Sequence, residues 1–193
     1  MAIIAIIVAA VLSNNVVFSQ TLGICPYMGV SKKTNTAVGM GIAVIFVMAI
    51  TSLLTYALYA WVLVPLGIEF LKTIVFIFVI AAFVQLVEMS LKKFLPTLYN
   101  ALGIYLPLIT TNCCVLGIAI VNVTSADIHN IFEAFINGAF IGVGFLLALV
   151  LMSGVRERIV KNDVPAPFKG FPIALLSAGI IAMAFLAFSG IAF

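Results

Sequence analysis

The sequence predicts an all-α membrane protein of six transmembrane helices. They form two inverted three-helix repeats, over about residues 1–92 and 93–193, with helices one and four broken and both termini outside. Three observations carry that expectation. The 193 residues are 65% hydrophobic and 8% charged, with a mean hydropathy of +1.37, far from the composition of a soluble domain. The rare charges divide the chain into uncharged stretches at 1–31, 34–68, 73–87, 94–126, 134–155 and 170–193. Basic residues crowd onto alternate connections between those stretches, as they do in multi-pass proteins.

Most stretches reach the roughly 20 residues that a helix needs to cross about 30 Å of hydrocarbon. The first has no basic leader and no small-residue cleavage site, and its length exceeds the apolar core of a signal peptide, so it is read as a retained span. The third spans once Glu88 is placed at the headgroups. The fourth carries a polar interruption, Thr110-Thr111-Asn112, followed by Cys113 and Cys114. In the fifth, Gly138-x-x-x-Gly142 has the spacing that lets helices approach closely. All should be helices, because hydrocarbon offers backbone groups no water and the runs lack the alternation of a barrel strand.

Lys32, Lys33, Lys92, Lys93, Arg156, Arg158, Lys161 and Lys169 fall on the connections after stretches one, three and five, whereas the other connections hold only Lys72. The odd connections are therefore cytoplasmic. The net charge of +3 is a topology signal and gives nucleic-acid binding no support. No connection is long enough for a soluble domain and no G-x-x-x-x-G-K-[ST] loop occurs, so no conventional nucleotide or flavin site is expected.

Three stretches precede Lys92-Lys93 and three follow, and an odd number of crossings per half makes the halves opposite in orientation. Cys25-x-x-x-Gly29 in stretch one answers Cys113-x-x-x-Gly117 in stretch four. Straight helices would keep these cysteines apart. Cys25 would lie about 35 Å from the outer start of its helix and Cys113 about 27 Å from the cytoplasmic start of its own. Both stretches, however, carry breakers: Ser13-Asn14-Asn15, Gly23 and Pro26 in one, Gly103, Pro107 and Thr110-Thr111-Asn112 in the other. Proline removes a backbone donor, and Ser, Thr and Asn side chains satisfy freed backbone groups. Stretches one and four are thus expected to be discontinuous, with Cys25 and Cys113 meeting near the midplane.

A cysteine in an apolar helix is ordinarily a small hydrophobe, and a Cys25–Cys113 disulfide is a second bland reading. Cys114, without a counterpart in the first half, reads as packing. The sharper reading is metal: two thiolates are half of a four-cysteine [2Fe-2S] site, and a partner chain would supply the rest.

The runs "LGICPYMGVSKK" (22–33) and "LPLITTNCCVLG" (106–117) resemble the RnfA/NqrE family. Its members are membrane subunits of the Rnf ion-translocating ferredoxin:NAD oxidoreductase and of the sodium-pumping NADH:quinone oxidoreductase. The resemblance covers essentially the whole chain, and Pro26 and Gly29 favour the Rnf side. It implies a six-helix inverted repeat in the bacterial cytoplasmic membrane, paired with a homologous RnfE-like subunit of opposite orientation and with the other Rnf subunits. It makes Cys25 and Cys113 the ligands of one shared [2Fe-2S] cluster and leaves out Cys114. Thr110, Thr111 and Asn112 would cap interrupted helix ends and donate hydrogen bonds toward the cluster, backbone satisfaction alone being the competing role.

Among other polar residues, Glu88 and Lys92 are expected to pair at a helix end, and His129 beside Asp127 and Asn130 to be solvated. Asn14, Asn15 and Asn137 are expected to bond across helices. No carboxylate falls near the centre of a span, so any ion path uses neutral side chains, backbone carbonyls or another subunit. The functional expectation is one membrane component of a redox-driven Na+ or H+ translocase. Its competitors are a component of a secondary transporter or channel and a passive anchor for peripheral redox subunits.

Overall fold

A computed structural model describes residues 15–67, 69–94, 112–124, 130–162 and 165–189. Six helices lie among them. Helix α1 is Ile24–Val30. Helix α2 runs over Thr34–Leu58, widens into a π turn at Tyr59–Leu63 and closes with Val64–Leu66. Helix α3 is Lys72–Phe94, α4 is Cys113–Thr124, α5 is Ile131–Val160 and α6 is Phe171–Ser189. The protein is all-α and multi-pass. By length and hydropathy Thr34–Leu63, Lys72–Met89 and Ile131–Val160 each suffice to cross a bilayer, while Cys113–Thr124 and Phe171–Ala187 are shorter apolar helices.

The π turn has a local cause. Proline's ring collides with the carbonyl four residues back, which for Pro65 is that of Trp61, and the turn widens over Tyr59–Leu63 just ahead of the proline. Gly67 then ends the helix at φ 66, with its N–H on the Val64 carbonyl at 3.2 Å; glycine adopts that left-handed conformation without a Cβ clash.

The described residues of stretch one, and those of stretch four from Asn112 on, open on non-helical backbone. Residues 15–23 are turns and irregular backbone, with Thr21 at φ 55 and Gly23 at φ 77, and α1 begins only at Ile24. Asn15 supports this segment: its Oδ1 accepts from the Val17 N–H at 3.1 Å and its Nδ2 donates to the Gly144 carbonyl on α5 at 2.9 Å. Asn112 is likewise non-helical and α4 opens at Cys113. Ser13, Asn14, Gly103, Pro107, Thr110, Thr111, Asp127 and His129 lie outside the described residues, as does the side chain of Lys92 with its expected pairing to Glu88.

The chain divides into two units, residues 1–45 with 140–193, and 46–139. In the first, Tyr27, Met40, Phe145, Leu149 and Met152 are fully buried; in the second, Met48, Phe76, Cys114, Val115 and Ile118 are. Lipid supplies no hydrophobic drive between helices, so close packing through small residues matters. A Cβ on Gly138 would come within 2.9 Å of the Met48 carbonyl oxygen in the second unit. Other large apolar side chains face outward, with Phe70 97% and Trp61 74% exposed.

Candidate functional site

Helix α1 has seven residues, and burial divides them cleanly. Pro26, Tyr27 and Val30 point into their unit, whereas Ile24, Cys25 and Gly29 are exposed. Phe18 meets the Tyr27 ring edge-on at 5.9 Å and stacks on Phe185 at 4.5 Å, so the aromatic side of the helix is fixed and Cys25 is turned away from it.

The far end of α1 is held by α5. Arg156 Nη1 donates to the Met28 carbonyl at 2.8 Å and to Ser31 Oγ at 2.9 Å, satisfying carbonyl charge at a helix C-terminus that has no intrahelical donor. The adjacent Glu157 Oε1 accepts from the Thr34 backbone N–H at 2.8 Å and Thr34 Oγ1 at 2.7 Å, which caps the start of α2. Two neighbouring residues of α5 therefore fix both sides of the Ser31–Lys33 turn. In the sequence Arg156 signals topology alone, although it stands directly after the uncharged stretch 134–155.

In the second unit Asn112 starts α4. Its Oδ1 accepts from the Cys114 N–H at 3.1 Å, the arrangement of a helix N-cap, and its carbonyl accepts from the Val115 N–H at 3.1 Å. That bond orients the amide, and Nδ2 is left buried without a partner, the residue being 4% exposed. Along α4, Cys114, Val115, Ile118, Ala119 and Asn122 are buried, while Cys113 is exposed and Leu116 and Gly117 are half-buried. In both short helices, then, the cysteine is exposed and the glycine one turn later shares its side, exposed in α1 and half-buried in α4, as residues four apart must.

None of the three cysteines is in a disulfide; Cys25 and Cys113 are exposed and Cys114 is buried. Cys114 packs, as expected. Cys25 belongs to the first unit and Cys113 to the second. Among the described residues no group of three or more His, Cys, Asp or Glu side chains gathers. Of the asparagines expected to bond across helices, Asn15 reaches α5, and Asn137 Nδ2 donates to Asn122 Oδ1 of α4 at 2.7 Å.

Residues 3–192 match the family model described as "Rnf-Nqr subunit, membrane protein". The chain is 54% identical over 190 residues to the A-type component of the Na(+)-translocating ferredoxin:NAD(+) oxidoreductase complex of Acetobacterium woodii, covering 98% of each chain. It is 51% identical over 186 residues to the A-type component of the ion-translocating oxidoreductase complex of Aliivibrio salmonicida, covering 96% of this chain and 95% of that one. With its counterpart from Vibrio cholerae it shares 50% identity over 186 residues, at the same coverage.

Proposed function

The chain belongs to the Rnf-Nqr family of membrane subunits, and from that membership we propose that it is the RnfA-type component of an ion-translocating ferredoxin:NAD oxidoreductase complex. It works in a bacterial cytoplasmic membrane and is an enzyme only as part of that assembly. Within it, Cys25 and Cys113 hold half of an intramembrane [2Fe-2S] cluster. A homologous RnfE-like subunit of opposite orientation supplies the other two thiolates, and electron flow is coupled to the movement of Na+ or H+.

The observation that carries the cluster reading is the matched pair of exposed cysteines, each in a Cys-x-x-x-Gly run at the start of a short helix, beside a third cysteine that is wholly buried. The donor set fits the group: two sulfur ligands per chain make four across a pair of subunits. The unpartnered Asn112 Nδ2 one residue from Cys113 is a donor of the kind that tunes sulfur ligands. When bound, the cluster supplies a one-electron carrier inside the bilayer. The protein's own part is to place two deprotonated thiols. Arg156 and the Phe18–Tyr27 contact hold α1 for Cys25, and Asn112 sets the first turn of α4 for Cys113.

The composition of the two units supports the inverted repeat. Exchanging α1 with α4, α2 with α5 and α3 with α6 converts the contents of one unit into those of the other. Each has a short cysteine-bearing helix, the N-terminal part of the long helix after it, the C-terminal part of the other long helix, and one further helix. The irregular residues ahead of α1 and the non-helical Asn112 ahead of α4 support broken helices in stretches one and four.

Low-temperature EPR of the dithionite-reduced complex tests this reading, with assembly checked on native gels. Cys25→Ala and Cys113→Ala are expected to lose one [2Fe-2S] signal that Cys114→Ala keeps. Assembled complexes that keep every signal in all three variants would return the chain to a transporter or anchor role.

A further inference from the structure

We propose that the cavity between Tyr56–Trp61 of α2 and the start of α5 is the outer mouth of a path for a metal cation of sodium's class. In this proposal, neutral oxygens beneath the cavity receive the ion. It rests on the reading of the chain as part of an ion-translocating complex and names where the ion crosses. The cavity has a volume of about 590 Å³, and its polar lining comes from Tyr56, Trp61, Asn130 and Glu133. Glu133 is held at the rim by Asn130, whose backbone N–H and Nδ2 donate to its two carboxylate oxygens at 3.3 Å each. Among the described residues, no basic side chain lines the cavity. The connections on that side carry Glu69, Asp127 and Glu133 against a single Lys72, a balance that draws cations to the surface. Ala60 and Trp61 of the lining belong to the π turn, where the carbonyl register of α2 is shifted, a feature that recurs at functional sites.

Below the cavity the same two helices, joined by α4, carry further side-chain oxygens. Ser52, one turn before Tyr56, lies against Gly138, where α2 and α5 make their close approach. Asn137, next to that glycine, joins Asn122, and Asn122 Nδ2 reaches the Ala134 carbonyl at 3.5 Å. Thr55 Oγ1 donates to the Thr51 carbonyl at 2.8 Å. Thr51 is 2% exposed and its own hydroxyl has no partner, a costly arrangement for a group buried in apolar surroundings. None of these hydroxyls and amides ionises near neutral pH. They offer lone pairs to a metal ion and do not carry a proton by titrating, and hard cations take oxygen ligands of this kind.

The test uses the whole complex in proteoliposomes with the outer face toward the bath and an inward sodium gradient driving reverse electron transfer. Sodium chloride is the probe, and choline chloride sets the ionic strength. Glu133→Gln keeps an acceptor for Asn130 but removes the charge. It is expected to raise the half-saturating sodium concentration about five-fold at low ionic strength, the worth of one charge contact in water. The shift should shrink at high salt, and Glu133→Asp should restore the wild-type value. Thr51→Val, which replaces the unpartnered hydroxyl by a methyl, is expected to lower sodium flux about ten-fold without lowering the thermal midpoint. An unaltered sodium dependence in Glu133→Gln together with full flux in Thr51→Val overturns the proposal. So does transport that a pH dye reports as proton movement in sodium-free medium. EPR on the same samples separates the two readings, because loss of the cysteine-dependent signal concerns the cluster, and a changed sodium response with that signal intact concerns the cation path.

Discussion

Replacing Arg156 by alanine removes the two bonds that end α1. Hydrogen bonds from a charged donor contribute about 1.5–3 kcal/mol each. Both originate from one nitrogen of a half-buried guanidinium, so they do not add in full, and a loss of about 2–3 kcal/mol is expected. The fully buried Ser31 and the Met28 carbonyl would both lose their donor. At about 2–4 °C per kcal/mol for a chain of this size, the thermal midpoint should fall by about 4–12 °C. Arg158, exposed on the same turn of α5, is the control, and its alanine variant should stay within about 0.5 kcal/mol of wild type. Arg156→Lys keeps the charge without the fork and should recover only part of the loss. The assay is thermal unfolding of the assembled complex in nanodiscs, followed by near-ultraviolet dichroism. Identical midpoints for the Arg156 and Arg158 alanine variants would refute the claim that the guanidinium holds α1.

Two further outcomes follow from packing and capping. Gly138→Ala places a methyl against Ser52 and the Met48 carbonyl oxygen and should cost about 1–3 kcal/mol. Gly154→Ala meets nothing within 4 Å and should be neutral or stabilising by about 0.5–1 kcal/mol, so equal midpoints for the two would remove the close α2–α5 approach. Asn112→Ser keeps a capping oxygen for the Cys114 N–H and should stay near wild-type stability, whereas Asn112→Ala should lose about 1 kcal/mol. Redox titration of both variants separates the two roles of that side chain. A midpoint potential shifted equally in Ser and Ala marks Nδ2 as a donor toward the cluster, and unshifted potentials leave it as a cap alone.

The charge-free runs located α2, α3, α5 and α6 because in lipid an unbroken apolar run has only one way to satisfy its backbone. They do not mark where helices stop. Stretch three, drawn at 73–87, is helical to Phe94, and stretch five, drawn at 134–155, runs from Ile131 to Val160. Charges end a span without ending a helix: Lys92, Lys93 and Arg158 lie near C-terminal helix ends, where cations are favourable. The different fates of Cys113 and Cys114 were legible only as a missing counterpart in the first half. The burial pattern of α4 provides the physical reason, since adjacent helical residues sit about 100° apart at 3.6 residues per turn, and that turn carries Cys114 onto the side with Val115 and Ile118 while Cys113 stays outside. What no local reading could supply are the bonds from α5 to the turn after α1, because Arg156 and Ser31 are 125 positions apart. The same holds for the orphaned hydroxyl of Thr51, a fact about its neighbours and not about its sequence.

The uncovered thiols also bear on how such a membrane component is made. A freshly inserted chain presents Cys25 and Cys113 exposed on its own fold, while its third cysteine is sealed by folding alone. In the proposed assembly, protection of the first two arrives only with iron, sulfide and a second polypeptide together. Maturation then becomes a race between pairing and oxidation. An unpaired copy is marked by its chemistry instead of by misfolding, so a quality-control system could recognise surplus copies by accessible sulfur while their helices remain fully formed.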